Sequence, residues 1–275
     1  MKVAVAGHRG RLGSYLVRLG CVPLVCDITS ERSIAEALEA VEPHVLINAA
    51  AFTDVDACEE PANQDLAVAV NTRGPGLLRR AFPGFFIHLS TGYVFDGRAG
   101  PYDEDAVPNP ISFYGMTKLG GEAAATVRTP TAIVRTLDLF GSAHRRPDFV
   151  RFVRDLLAVG LPKPVPTGLY GNPTYIPNLA AALMRLAEAG PQDTILNLAG
   201  TTVLSRFDFA RMIARVYHGD DALILPCEEP TGKARRPLRG GLLVTKALGL
   251  GYSLISAEEG LRELHAAETH GERVA

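Results

Sequence analysis

The chain has few cysteines and no tryptophan. Its 275 residues include four cysteines, with no C-x-x-C pair and no histidine near them at ligand spacing. This pattern argues against a disulfide framework and gives no zinc motif, so we predict no metal site and a reducing compartment. The cysteines are Cys21, Cys26, Cys58 and Cys227.

The chain also lacks an excess of charge of either sign. It carries 28 Lys+Arg against 30 Asp+Glu, a formal net charge of -2. This balance gives no basic footprint for nucleic acid or for an anionic membrane. No run of 18 apolar residues is present, so we expect no transmembrane helix. The first residues show no apolar region followed by a cleavage site, so we expect no signal peptide and, by elimination, a cytoplasmic protein.

Hydrophobic residues make up 47% of the chain, enough to bury a large core. Over the first 200 residues, short and almost continuous apolar runs alternate with amphipathic stretches. This alternation predicts an α/β fold with helices on both faces of a parallel sheet, the doubly wound Rossmann arrangement. The predicted strands are 3–6, 24–26, 44–48, 85–90, 131–136 and 195–198, and the predicted helices are 11–19, 30–40, 62–80, 114–126, 178–189, 206–217 and 256–265.

Three glycines follow the first predicted strand and open the first predicted helix. Gly7, Gly10 and Gly13 form a G-x-x-G-x-x-G loop. In such a loop the first glycine permits the tight turn and the second lets a pyrophosphate approach the backbone. The third lets the helix pack close to the sheet. The position of the loop between strand and helix predicts dinucleotide binding over a purely structural turn.

Asp27 follows Gly13 by 14 residues and ends the short second strand. An acidic residue after the second strand is the usual ligand of the adenosine ribose in such folds. Two interpretations of Asp27 stay open. It either hydrogen-bonds the cofactor or caps the helix that begins near Ser30.

The residue composition of the sequence changes after Gly141. Residues 161–172 carry Pro or Gly at almost every second place, so they cannot form one regular element. We therefore predict an NAD(P)-binding Rossmann domain over residues 1–140. A smaller C-terminal substrate-binding lobe is predicted over residues 141–275, with segments that return to the first domain.

Tyr114 and Lys118 form a Y-x-x-x-K on a predicted helix, so the two side chains share one face. The pKa of a phenol is near 10 and must fall by about 3 units for the phenol to react near neutrality. This shift corresponds to roughly 4 kcal/mol. A lysine cation about 4 Å away in a partly buried site supplies an interaction of that size. The pair therefore predicts a lowered pKa for Tyr114 and a role as general acid towards a carbonyl oxygen.

Ser90 and Thr91 end the preceding predicted strand, where open parallel sheets place their ligand groups. A hydroxyl there can share a substrate oxygen with Tyr114, which favours a catalytic site over a surface Tyr–Lys pair. Residues 48–50 end another strand, and their small side chains suit either a nearby nicotinamide ribose or tight packing in the sheet. Asn71 is expected to have a structural role.

Together these residues resemble the extended short-chain dehydrogenase/reductase superfamily and, within it, the dTDP-4-dehydrorhamnose reductase branch. The likeness covers nearly the whole chain and is most specific over residues 89–122. It rests on GHRGRLG (7–13), VLINAAAFTDVDACE (45–59), AVNTRGP (69–75), LSTGYVFDG (89–97), PYDED (101–105), YGMTKLGGE (114–122) and YGNPTYIPNLA (170–180).

The resemblance implies NADPH- or NADH-dependent reduction of a 4-keto-6-deoxy nucleotide sugar. It makes Tyr114 the proton donor, Lys118 its activator and a ligand of the nicotinamide ribose, and Thr91 the polarising hydroxyl. It also implies a homodimer. The residues that it places at the cofactor, besides Tyr114 and Lys118, are Gly10, Arg11 and Leu12 on the pyrophosphate, Asp27 and Ile28 near the adenine, and Ala49, Ala50 and Ala51 near the ribose and nicotinamide.

Two positions depart from the pattern of this branch. Gly92 stands where the motif S-T-D-Y-V-F has its aspartate, and Asp138 stands where R-T-S-W-V-Y-G has its tryptophan. Because the chain contains no tryptophan at all, that contact with the sugar is missing. The exact sugar therefore does not follow from the resemblance.

Two other functions stay open. One is a nucleotide-sugar epimerase; a dehydratase is disfavoured, because Thr91, Gly92 and Tyr93 lack the acid pair that would eliminate water. The other is an NADP-binding regulatory subunit without turnover, similar to that of methionine adenosyltransferase, and the changes at Gly92 and Asp138 would suit it. Four basic residues between 233 and 239 suit either a substrate diphosphate or a solvated loop.

Overall fold

The computed structural model describes residues 1–141, 147–228 and 232–270. Its strands are β1 (Val3–Ala6), β2 (Val22–Leu24), β3 (Val45–Asn48), β4 (Phe85–Thr91), β5 (Thr131–Thr136), β6 (Leu139–Phe140), β7 (Lys163–Pro166), β8 (Tyr170–Gly171), β9 (Thr174–Tyr175), β10 (Thr194–Asn197), β11 (Leu204–Ser205) and β12 (Ile224–Cys227). Its helices are α1 (Arg11–Arg18), α2 (Glu31–Val41), α3 (Pro61–Val68), α4 (Gly74–Ala81), α5 (Phe113–Ala125), α6 (Phe149–Val159), α7 (Ile176–Glu188), α8 (Arg206–Val216), α9 (Thr245–Gly249) and α10 (Ala257–Thr269).

Six strands form one sheet in the order β10-β5-β4-β3-β1-β2. Every neighbouring pair runs parallel. The chain moves from β1 to β2 on one side and from β3 towards β10 on the other. The carboxyl ends of β1 and β3 therefore form the switch point at which α/β sheets bind ligands. The prediction of a doubly wound parallel sheet is confirmed.

Helices cover both faces of this sheet. Phe85, Ile87 and Leu89 of β4 belong to the apolar cluster that α1 and α7 complete. Phe86, between them, belongs to the cluster that α2 and α4 complete. Since successive side chains of a strand point to opposite faces, a strand covered on both sides must be apolar throughout. This explains the continuous apolar runs of the sequence.

A second core lies in the C-terminal half. Its buried residues come from α6, α8 and α10 and from the short strands beside them. The Phe140 ring lies at its centre, with its centroid 5.6 Å from those of Tyr175 and Phe209. In the described part of the chain, three short strand pairs lie outside the main sheet: β12 with β7, β11 with β8 and β6 with β9. This lobe faces the carboxyl ends of the main strands.

The C-terminal half also returns to the main sheet. Strand β10 pairs with β5 at the edge of the sheet, and α7 packs beside α1. The division of the chain into two domains at residue 140, with segments that return to the first domain, stays a prediction.

Two predicted elements show the largest differences from those observed. The second strand covers Val22–Leu24 rather than residues 24–26, and Val25 is 63% exposed. The helix predicted over residues 62–80 is divided into α3 and α4 by a π-helical turn at Ala69–Arg73. Such turns are rare and occur frequently at functional sites.

Within the described ranges, no helix combines the length and the apolar character that crossing a bilayer requires. In the same part of the chain, no cluster of three or more His, Cys, Asp or Glu residues could hold a metal ion. All four cysteines carry free thiols.

Candidate active site

A cavity of about 750 Å³ lies at the carboxyl ends of the central strands. The glycine loop, the end of β4 and α5 line it from the first half of the chain, and α6 and the first residue of α8 line it from the second half. The fold brings eight of the predicted site residues together on this cavity: Gly10, Arg11, Leu12, Ala49, Ala51, Thr91, Tyr114 and Lys118.

Gly7 and Gly13 shape the glycine loop from behind. Gly7 has a φ of +81°, and a Cβ on it would lie 2.5 Å from the Ala50 nitrogen. A Cβ on Gly13 would lie 2.2 Å from the Gly7 carbonyl oxygen. Both distances are too short for any side chain, so only glycine lets α1 start this close to β1 and β3.

Gly10 leaves the N-terminus of α1 open towards the cavity. It is the N-cap residue, and a Cβ on it would meet only the Gly7 oxygen, at 3.3 Å. The backbone N–H groups of a first helical turn and the positive end of the helix dipole suit a phosphate group. Arg11, next to Gly10, donates from Nη2 to the Pro147 carbonyl oxygen at 2.9 Å, which joins this end of the cavity to the C-terminal half.

Asp27 and Ile28 lie outside the lining of this cavity. Oδ1 of Asp27 accepts hydrogen bonds from the nitrogen and the hydroxyl of Thr29, at 2.9 and 2.7 Å, and these bonds lower the pKa of Asp27. Helix α2 is capped by Ser30, whose side chain accepts from the Ser33 nitrogen. The helix-cap interpretation of Asp27 is therefore wrong, and its contact with the cofactor stays a prediction. Ile28 is buried beneath it, in the cluster on the α2 face.

Asn48 fixes the loop that follows β3. Its Oδ1 accepts from the Ala50 nitrogen at 3.1 Å, and its Nδ2 lies 3.1 Å from Nδ1 of His88. Burial lowers the pKa of His88 well below its usual range, so this ring is neutral. Ala50 packs against the apolar cluster on the α2 face, while Ala49 and Ala51 face the cavity.

Asn71 ties the next part of this loop to α5. It lies in the π-helical turn, fully buried. Its side chain bonds both the nitrogen and the carbonyl oxygen of Phe52, at 2.8 and 3.0 Å, and the Thr117 hydroxyl at 3.0 Å. The structural role expected of Asn71 is the one observed, and it acts next to the site.

Thr91 and Tyr114 bring two hydroxyl groups together on the wall of the cavity. Thr91 ends β4, and Tyr114 lies in the first turn of α5, whose N-cap Ser112 accepts from the Gly115 nitrogen. Burial raises the pKa of Tyr114, against the opposing effect of a hydrogen bond from Thr91. The lowered pKa expected from the sequence is therefore wrong. The phenol keeps its proton at neutral pH, as a proton donor must.

Lys118 lies one turn further along α5. Its Nζ donates to the Leu89 carbonyl oxygen at 2.6 Å, and the residue is 2% exposed. Burial lowers the pKa of Lys118 to about 8, against the opposing charge of Glu122. Near pH 7 this amine is therefore mostly protonated and places a cation at the cavity.

A buried ion pair lies behind Lys118. Arg135 donates from Nε and Nη2 to the two carboxyl oxygens of Glu122, at 2.9 and 2.8 Å. The Ser90 hydroxyl donates to the same carboxylate at 2.5 Å. This network joins β4, α5 and β5 behind the reactive groups. Sequence reasoning missed it, because its members come from three separate elements and no local spacing relates them.

Gly92 has no room for a side chain. A Cβ on it would lie 2.7 Å from Cδ1 of Leu137 and 3.1 Å from the Gly240 carbonyl oxygen. Leu137 therefore fills the place beside Thr91 where the related motif has an aspartate. The Leu137 side chain thus fills the space that a side chain at position 92 would need.

Asp138 and Arg206 form an ion pair on another part of the wall. Nη2 of Arg206 lies 2.5 Å from Oδ1 of Asp138, and both residues line the cavity. The sequence singled out Asp138 as a departure from the family pattern. It gave no sign of Arg206, which is 68 residues away along the chain.

Arg236, in the segment that follows residue 232, forms an ion pair with Asp56. It donates to both carboxyl oxygens of Asp56, at 3.2 and 2.7 Å, and this lowers the pKa of Asp56. Arg236 also hydrogen-bonds Tyr93, whose ring meets that of Tyr114 edge-on at 5.7 Å. Neither interpretation of the basic segment anticipated this ion pair.

Comparison with known proteins assigns the family. The family model described as RmlD substrate binding domain matches residues 1–269. The chain belongs to this family. The resemblance identified from the motifs is thus confirmed, and the RmlD family accounts for almost the entire length of the chain.

Several relatives carry the names of reductases. A dTDP-4-dehydrorhamnose reductase of Mycolicibacterium smegmatis is 36% identical over 251 residues, which cover 86% of this chain and 74% of that protein. A probable low-salt glycan biosynthesis reductase, Agl14, of Haloferax volcanii is 34% identical over 302 residues, 97% and 98% of the two chains. A crystal structure of dTDP-4-dehydrorhamnose reductase from Bacillus anthracis in complex with NADP has a TM-score of 0.89 at 27% identity and covers 97% of this chain and 99% of that one.

Proposed function

We propose that the protein reduces the ketone of a 4-keto-6-deoxy nucleotide sugar with NADPH or NADH. The observation that carries this proposal is one cavity with the glycine loop at one end and Thr91, Tyr114 and Lys118 on its wall. The reductases among its relatives, and the NADP-bound structure that shares its fold, support the same reaction class.

The residues around the glycine loop fit a dinucleotide. Gly7 and Gly13 exclude side chains from the loop, and Gly10 keeps the first turn of α1 accessible. We expect residues 10–12 to hold the pyrophosphate, residues 49–51 to lie beside the nicotinamide ribose, and Lys118 to bond the hydroxyls of that ribose. When bound, the reduced nicotinamide supplies the hydride that the ketone carbon receives.

Tyr114 supplies the proton. Its neutral phenol donates to the ketone oxygen as negative charge develops there. The Thr91 hydroxyl donates a second hydrogen bond to the same oxygen, and the Lys118 cation stabilises the phenolate that remains. The proton therefore passes from Oη of Tyr114 to oxygen, the hydride electron pair goes to carbon, and the product is the alcohol.

A cytoplasmic location and a homodimer belong to this proposal. The cytoplasm suits a protein with four free thiols, since that compartment keeps cysteines reduced. The homodimer rests on the family resemblance alone, and analytical ultracentrifugation tests it.

Dehydration fits this site less well than reduction. A dehydratase needs carboxyl groups next to the hydroxyl that ends β4, and at Gly92 the space is taken by Leu137. A regulatory subunit without turnover would keep the glycine loop and cofactor binding, so a direct assay separates it from the reductase.

The test is the loss of reduced-nicotinamide absorbance with enzymatically generated dTDP-4-keto-6-deoxy sugars, with NADH and NADPH in parallel. Tyr114→Phe removes the proton donor and should lower kcat by about 10²–10⁴-fold. Tyr217→Phe is the matched control, because the Tyr217 hydroxyl bonds Glu268 and lies away from the cavity lining.

Turnover that Tyr114→Phe abolishes and Tyr217→Phe preserves would support the reductase and identify the cofactor. Calorimetric binding of the cofactor with no reduction of any 4-keto sugar would overturn the proposal and favour a regulatory subunit.

A further inference from the structure

The ion pair of Asp138 and Arg206 lies within reach of the reactive groups. Its two side chains are 14% and 24% exposed and both line the cavity. Both charges affect the pKa of the neighbouring Tyr93 phenol. Burial raises this pKa, the charge of Asp138 raises it further, and the charge of Arg206 lowers it. Tyr93 in turn packs edge-on against Tyr114, so the pair lies one ring away from the proton donor.

Several elements hold this pair in place. Asp138 has a φ of +50°, a conformation that Asp tolerates better than most residues. Gly171 lies against it, and a Cβ there would be 2.0 Å from Oδ2 of Asp138. The guanidinium of Arg206 lies over the Phe149 ring, 4.8 Å from its centroid. A pair supported in this way presents its charges in a fixed geometry.

The other carboxylate on the described part of the cavity wall has a different task. Oδ2 of Asp148 accepts from the Gly141 nitrogen at 2.8 Å, and its Oδ1 accepts from the Arg151 nitrogen at 3.0 Å as the N-cap of α6. Asp148 thus fixes the backbone around it. Of these two carboxylates, Asp138 with its partner Arg206 is the one suited to binding the sugar.

We propose that Asp138 and Arg206 determine sugar specificity by binding one ring hydroxyl of the substrate, an inference that rests on the proposed function. A hydroxyl both donates and accepts, so it can donate to the carboxylate and accept from the guanidinium. The pair is neutral as a whole. A sugar ammonium would meet the like charge of Arg206, and a sugar carboxylate would meet that of Asp138, so the pair selects a neutral hydroxylated sugar.

The experiment compares substrates that differ at single ring positions. With saturating NADPH, kcat/KM is measured for dTDP-4-keto-6-deoxyglucose, its 2-deoxy and 3-deoxy analogues and its 3-amino-3-deoxy analogue. The proteins are the wild type, Asp138→Asn, Arg206→Met and the control Asp221→Asn. Asparagine tolerates the positive φ at 138. Asp221 pairs with Arg211 on the same helix as Arg206 but does not line the cavity.

We expect the wild type to favour the parent sugar over one of the deoxy analogues by about 100-fold, because that analogue leaves the pair without its hydrogen bonds. Asp138→Asn and Arg206→Met should each reduce this preference to about 10-fold or less, mainly through KM. Asp221→Asn should keep it, and the affinity for NADPH should stay the same in all four proteins.

The other outcomes separate the two proposals. If the wild type reduces the parent sugar and both variants keep its preference, the specificity role of the pair is refuted and the reductase stands. If the amino analogue is the better substrate, the pair recognises a cation and the inference is equally wrong. If the wild type reduces none of these sugars, the proposed function fails, and the inference fails with it.

Discussion

Gly92 packs against Leu137, whose side chain lines the cavity. A Cβ on Gly92 would lie 2.7 Å from Cδ1 of Leu137 and 2.9 Å from its Cγ. The two positions therefore constrain each other, and a side chain at 92 requires a smaller one at 137.

Gly92→Asp should lower the free energy of unfolding by about 1–3 kcal/mol, because the new side chain overpacks a buried site. In Gly92→Asp/Leu137→Ser the cost should be smaller than the sum of the two single changes, by about 1 kcal/mol. Urea denaturation of the four proteins measures this coupling. Gly249→Asp is the control, since nothing lies within 4 Å of a Cβ at that position. If the losses of unfolding free energy in the two single variants simply add in the double variant, Leu137 does not occupy the space that a side chain at position 92 would need.

The buried carboxylate of Glu122 has three hydrogen bonds from Arg135 and Ser90. Glu122→Gln leaves the Arg135 cation, 2% exposed, without its counter-charge, and should cost about 3–5 kcal/mol of unfolding free energy. Denaturant unfolding measures the loss. The same substitution at Glu258, which pairs with Arg262 on the surface, should cost less than about 0.5 kcal/mol. Equal effects of the two substitutions would contradict the role of the buried network.

Lys118 makes stability depend on pH in the alkaline range. Its pKa is about 8 in the folded protein and about 10.4 in an unfolded chain, so between these values the unfolded state binds more protons. The wild type should therefore gain stability relative to Lys118→Met as pH rises from 8 to 10.4, with a slope of at most about 1.4 kcal/mol per pH unit. Below pH 8 the difference should be constant.

Unfolding free energies from pH 7 to 11 provide this test. Burial raises the pKa of Cys21, Cys26 and Cys58 to about 11, but both proteins contain these thiols, so their effect cancels in the difference. Lys246→Met, at an exposed lysine that bonds the Ile195 carbonyl, is the control. A difference that stays flat across the whole range would show that Lys118 is not held in a desolvated site.

Gly7→Ala should weaken cofactor binding. A Cβ there would lie 2.5 Å from the Ala50 nitrogen, so the glycine loop or the loop after β3 must move, and we expect the Kd for NADPH to rise by at least about 10-fold. Gly20→Ala is a matched control, because Gly20 also has a positive φ, +98°, but nothing lies within 4 Å of its Cβ. Gly20→Ala should cost about 1 kcal/mol of stability and leave cofactor affinity unchanged, as calorimetry would show.

Local patterns predicted most of the fold. The bounds of β1 and β5 match the predicted residues, because both strands lie inside the sheet, where a continuous apolar run has no alternative position. Strand β2 was misplaced by two residues. It pairs only with β1, at the edge of the sheet, so the apolar Val25 beyond it did not have to be buried. Pro23 is acceptable within such an edge strand.

The grouping of residues at the cavity was predictable where it depends on motif spacing, while their roles stay predictions. The glycine loop, Thr91, Tyr114 and Lys118 lie together as that spacing suggested. The raised pKa of Tyr114 was not predictable, because it depends on burial by segments that are distant along the chain. The contacts of Arg206 with Asp138 and of Arg236 with Asp56 join residues 68 and 180 positions apart, and no periodicity in the chain relates such residues.

The position of β10 in the sheet affects how the chain folds during its synthesis. Strand β5 lies between β4 and β10, and β10 ends at Asn197, so a nascent chain that has reached only β5 presents an open, apolar strand edge. The α1 face is also uncovered at that stage, since α7 comes later in the chain. The sheet is therefore complete only after Asn197 has left the ribosome. Until then the growing chain exposes the kind of surface that chaperones bind and that promotes aggregation.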